Sequence, residues 1–87
     1  MRVLLVSHHR SEREAHARVL SSAGHEPEQA GGAIDAITRL QATAFTAVLL
    51  DWSLPGGETR TILQRIKAGG AGRPQVIVTL SRDIKSE

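Results

Sequence analysis

Thr46-Ala47-Val48-Leu49-Leu50-Asp51-Trp52-Ser53-Leu54-Pro55-Gly56-Gly57 decides the reading of this chain. An unbroken apolar run ends at one carboxylate and a Pro-Gly-Gly turn follows, which places Asp51 where a buried strand surfaces into a loop. Working outward, Val3 to Val6 is a second continuous apolar run, suited to a central parallel strand covered on both faces. Val76, Ile77 and Val78 form another.

Helical patterns separate these runs. Ser11 with Glu14 three residues later reads as a capping box and predicts a helix over about 12–22, with Ala15, Val19 and Leu20 facing inward and Gly24 ending it. After Gly31-Gly32, the spacing of Ala33, Ile34, Ala36, Ile37 and Leu40 predicts a second helix to about Gln41. Ile62, Leu63 and Ile66 share one face of a third, ending near Ala68. The segment His25 to Ala30, with its Pro and two Glu, reads as an edge strand or a loop. Strands alternating with helices predict an α/β fold, an open parallel sheet with helices on both faces. If the first and third strands are neighbours, Ser7, His8, His9 and Asp51 converge at the switch point of the sheet.

Composition narrows the function classes. The 87 residues carry 11 Lys plus Arg against 9 Asp plus Glu, and a dispersed net charge of +2 marks no nucleic-acid surface. There is no cysteine, which excludes disulfides, thiol nucleophiles and thiolate metal sites. The opening apolar run is too short for a signal peptide or a membrane span, so a cytoplasmic protein is expected.

The sequence resembles the response-regulator receiver domain of two-component signalling. The match rests on Val48-Leu49-Leu50-Asp51, the following Trp52-Ser53-Leu54-Pro55-Gly56, a helix containing Leu63-Gln64-Arg65-Ile66-Lys67, and Pro74 with Thr79 five residues on at a strand end. The resemblance implies a flavodoxin-like sheet and a signalling module rather than an enzyme. It makes Asp51 the conditional phosphoryl acceptor, Thr79 the switch hydroxyl, and Ser53 the donor of a backbone carbonyl to a bound Mg2+. A sensor histidine kinase or other signalling protein is the implied partner, and output runs through protein-protein contacts.

Two departures from the family pattern qualify these expectations. Receivers carry an acidic pair at the end of the first strand, and Ser7 and His8 hold those places. With Asp51, the Ser53 carbonyl and His8 as the metal's neighbours, Mg2+ binding is expected to be weak, because that cation favours oxygen ligands. The chain also stops after the fourth strand, so the last helix-strand-helix portion and its lysine are lacking. Neither Lys67 nor Lys85 takes that lysine's part. An exposed fourth strand is a template for pairing, and self-association is expected. The alternative reading is a phosphorylation-independent pseudo-receiver that acts as an interaction or dimerisation module.

Plainer readings stand beside these. His8, His9 and Asp51 contain the donors for zinc or manganese, yet adjacent residues of a strand point in opposite directions, so two polar residues exposed at a strand end are expected. Thr79 also suits a strand as a β-branched residue, and Trp52 is a packing or partner-contact residue. Gly31-Gly32 stands where a helix N-terminus could take an anion, while Gly69-Gly70-Ala71-Gly72 reads as a connector. Arg10, Arg13 and Arg18 read as a solvated face.

Overall fold

The computed structural model describes residues 1–51, 54–69 and 76–80, with the backbone alone for 55 and 76–80. The elements are β1 (Arg2–Val6), α1 (Arg10–Ser22), β2 (Glu26–Ala30), α2 (Ala33–Ala42), β3 (Ala47–Asp51), α3 (Glu58–Lys67) and β4 (Val76–Leu80). The strands form one sheet in the order β2-β1-β3-β4. Every pairing is parallel, with Leu4 opposite both Glu28 and Val48 and Leu50 opposite Thr79.

This order follows from the hand of the connections. The chain moves one way across the sheet from β1 to β2, then reverses through β3 to β4. With a right-handed crossover each time, α1 must lie on one face and α2 and α3 on the other. The side chains divide accordingly. Leu4, Val6, Val48 and Leu50 pack with Ala36, Ile62 and Ile66, while Val3, Leu5 and Ala47 pack beneath Ala17 and Leu20. Four consecutive residues of β1, Val3 to Val6, are buried, as expected for an interior strand covered on both faces. Phe45, just before β3, also enters the larger core.

The segment from His25 to Ala30 resolves as an edge strand. Its carboxylates are neutralised locally, Glu26 by Arg2 at 3.4 Å and Glu28 by Arg39 of α2 at 3.3 Å. These solvent-screened pairs add little stability individually, but they let charge sit on an edge strand.

The first helix departs from the expected pattern. It begins at Arg10 with His9 as its N-cap, whose side chain makes no capping hydrogen bond, so Ser11 lies inside the first turn. Glu14 reaches Arg10 at 2.9 Å instead of the cap amide. Ala15 is exposed and Val19 is 68% exposed, whereas Ala17 and Leu20 pack on the sheet. Positions 13, 17 and 20 form the inner stripe at helical spacing, which turns 15 and 19 outward. Gly24 ends the helix as expected. At φ +90° it lets its N–H reach the Ser21 carbonyl and the His25 N–H reach the Leu20 carbonyl, at 3.0 and 2.9 Å. These are the paired bonds of a Schellman turn.

In α2, Ala33, Ala36 and Leu40 face the core, but Ile34 points out at 86% exposure. The N-terminus of α2 is already occupied from within the molecule. Glu58, first residue of α3, accepts the Ala33 N–H at 3.0 Å, and a Cβ on Gly32 would stand 3.0 Å from the same oxygen. The helix terminus that Gly31-Gly32 could have offered to an anion is therefore taken by a side chain of the protein, satisfying a donor that the helix leaves open. Glu58→Ala is expected to lower the unfolding free energy by about 1 kcal/mol, measured by urea denaturation. Glu58→Gln, which keeps an acceptor, should recover most of it, and equal stability of all three proteins would exclude this cap.

Candidate functional site

The carboxyl ends of β1 and β3 lie side by side in the middle of the sheet, as the pairing of Val6 with Leu50 shows. Asp51, one residue further on, is only 4% exposed. A carboxylate so far out of water needs hydrogen-bond donors. Ser7, immediately beyond β1, provides one, its hydroxyl donating to Asp51 Oδ2 at 3.0 Å.

Ser7 ties several elements together. Its Oγ accepts the His9 N–H at 3.1 Å, its own N–H donates to the Ala30 carbonyl at 3.1 Å, and its carbonyl accepts Arg13 Nη1 at 2.6 Å. Arg13 is thus no part of a solvated face. Its guanidinium also donates to Gln29 at 3.3 Å, bracing the ends of β1 and β2 from α1. The signal in the sequence was position: Arg13 shares the inner stripe with Ala17 and Leu20.

The backbone of Asp51 is held separately. Its carbonyl accepts the Thr59 hydroxyl at 2.8 Å, a buried bond, and the Leu54 N–H at 3.4 Å. Thr59 was missed in the sequence, although it falls three residues before Ile62 and seven before Ile66, on the same buried face. Between these anchors the chain passes through Gly56 and Gly57 at φ +66° and +73°. A side chain in that left-handed region costs roughly 1–2 kcal/mol, which accounts for the Pro-Gly-Gly sequence.

His8 and His9 do not diverge as a strand would require. The strand ends at Val6, and the two imidazoles lie together with centroids 4.0 Å apart. One donor atom each from His8, His9 and Asp51 falls within 4.8 Å of the others. His8 is exposed and His9 half-buried. Ser7, His8, His9 and Asp51 therefore converge as expected from the strand order, and the expectation of two unrelated exposed histidines is corrected. The alternation of side chains lapses where the extended ladder stops. Of the other predicted residues, Thr79 lies on β4 with its backbone opposite Leu50. Its side chain lies outside the described residues, as do Trp52 and Ser53.

The donor set fits magnesium poorly. That ion asks for an octahedron of oxygen ligands and retains much of its water, whereas the cluster offers one carboxylate and two imidazoles.

No protein-family model matches the chain. Among solved structures, the N-terminal domain of a response regulator receiver protein from Methanoculleus marisnigri superposes with a TM-score of 0.84 at 24% identity, covering 98% of this chain and 69% of that one. The N-terminal domain of an uncharacterized protein from Wolinella succinogenes gives 0.83 at 25% identity, covering 98% and 67%. The receiver domain of a Pseudomonas aeruginosa sensor histidine kinase, which has a magnesium ion coordinated in its active site cleft, gives 0.83 at 23%, covering 94% and 67%. The chain has the receiver fold.

The Thr59 bond provides a test of how the acidic residue is positioned. Thr59→Val, close in shape but without the donor, is expected to destabilise the fold by about 1–2 kcal/mol by removing a buried hydrogen bond. Thr59→Ser should lose less. A valine variant with unchanged denaturation midpoint would show that the Asp51 backbone does not depend on this contact.

Proposed function

We propose that this chain is an atypical receiver module of two-component signal transduction in which Asp51 conditionally accepts a phosphoryl group. The observation carrying this reading is the placement of a buried carboxylate at the end of β3, beside β1, at the switch point of a receiver-fold sheet. Asp51 would attack the phosphorus of a donor, a phosphohistidine of a sensor kinase or a small phosphodonor. The donor's bond to phosphorus breaks as an acyl phosphate forms, and the displaced imidazole or oxyanion leaves with the bonding electrons. Thr79 follows the phosphoryl group as the switch hydroxyl. The protein is no enzyme in this reading; its output runs through contacts with other signalling proteins, with no nucleic acid or membrane partner, in the cytoplasm.

Mg2+ takes a minor part, held weakly by Asp51, the Ser53 carbonyl and the neighbouring His8. Ser7 and His8, standing where receivers have acids, support a second reading. In it the fold persists as a phosphorylation-independent interaction or dimerisation module.

Intact-mass measurement after incubation with acetyl phosphate and magnesium separates the two. The first reading expects an addition of about 80 Da, one phosphoryl group, that is absent from Asp51→Asn. The second expects none at any magnesium concentration.

Self-association through β4 belongs to both readings. Among the described residues β4 pairs with β3 alone, and such an edge can recruit another strand. Sedimentation analysis across a dilution series should show a dimer that dissociates on dilution. A monomer at every concentration would rule out this assembly.

A further inference from the structure

We infer that His8, His9 and Asp51 form a binding site for a borderline divalent transition ion of the zinc class, in preference to magnesium. This goes beyond the signalling role and holds whether or not Asp51 accepts a phosphoryl group.

Three kinds of observation carry the inference. The first is donor chemistry. Two neutral imidazoles and a carboxylate are the ligands that zinc, cobalt and nickel favour, and three protein ligands with a remaining water position are a common arrangement for zinc. Magnesium gains little from nitrogen ligands.

The second is geometry. The three donor atoms lie within 4.8 Å of one another, while ligands of a tetrahedral ion with bonds of about 2.0–2.1 Å stand roughly 3.3 Å apart. Closing that difference takes side-chain adjustments of up to about 1.5 Å. His8 has room to make it, being exposed and located in the bend between β1 and α1.

The third is support around the donors. The Ser7 hydroxyl donates to Asp51 Oδ2 at 3.0 Å and accepts the His9 N–H at 3.1 Å, so one group orients both the carboxylate and the backbone of a histidine. Ligands of bound metals are characteristically fixed by such outer hydrogen bonds. A carboxylate has about four acceptor positions, so Asp51 can keep the Ser7 bond while it ligates an ion. Ser7 is in turn held by the Ala30 carbonyl and by Arg13.

Co2+ is a suitable probe because its visible d–d absorption intensifies on entering a low-symmetry protein site. Titration of the 87-residue chain should produce this absorption at one equivalent. Zn2+ should abolish it by competition, whereas Mg2+ at a hundredfold excess should leave it. His8→Ala and His9→Ala should each weaken Co2+ binding more than tenfold, and Ser7→Ala, which removes only the outer support, by roughly tenfold. Because His8 is exposed, its variant should fold normally by circular dichroism. The double variant His16→Ala/His25→Ala is the control for the remaining histidines, including His25 beside the N-terminal amine at 3.3 Å, and should bind as the parent does. The inference is overturned if no cobalt absorption develops, if magnesium displaces cobalt as readily as zinc does, if His8→Ala and His9→Ala leave binding intact, or if the control variant abolishes it.

Discussion

A carboxylate at the end of a doubly covered strand is the constraint on which the site depends. Asp51 is nearly excluded from water, and a buried acid must receive hydrogen bonds or be neutralised. One donor it receives comes from beyond a different strand, Ser7 at the end of β1. The site therefore exists only while β1 and β3 run parallel and adjacent. Antiparallel neighbours would carry Ser7 to the far end of the sheet from Asp51. Sheet topology and site chemistry are one requirement here, and the same seam of Leu4, Val6, Val48 and Leu50 that fills the core aligns the two ends.

The rim around this carboxylate is held by the protein's own polar groups. Arg13 spans from α1 to the ends of β1 and β2, and Glu58 spans from α3 to the start of α2. Both act on backbone groups that secondary structure leaves open, a carbonyl past the end of a strand and an N–H at the start of a helix. Each fixes one element against another across the loops. The carboxyl edge of the sheet is thus braced at both shoulders of Asp51, with Thr59 anchoring the acid's own backbone from the helix that follows.

The strands were readable because interior parallel strands carry continuous apolar runs, and Val3 to Val6 and Ala47 to Leu50 have no helical competitor of that length. The edge strand β2 was ambiguous because its residues satisfy charge pairs rather than a core. The first helix was misread for a related reason. Its inner contacts are one Leu and one Ala, so a stripe through Ala15 and Val19 looked as apolar as the true one. Only the length of the connection from β1 selects between them. Thr59 and Arg13 escaped notice because polar residues at inner positions look like interruptions of a stripe, when each is there to bond a backbone carbonyl. The histidines depended on where a strand stops, and a boundary set by ladder bonds cannot be read from side-chain pattern alone.

A hydroxyl and imidazoles beside Asp51, in place of further carboxylates, also change what the fold demands. Two carboxylates 4 Å apart repel by about 4 kcal/mol at an effective dielectric constant of 20, so a site with three acids is strained until a cation enters. Here Asp51 faces a hydroxyl that donates to it and imidazoles that add no negative charge. That source of strain is absent, and the protein can fold around its carboxylate without a metal. Folding then does not require a cation, although one that binds still adds stability by mass action, and the donor set is left to select among cations by ligand preference. The choice of ion at such a site is thus set by its donors rather than by the fold that positions them.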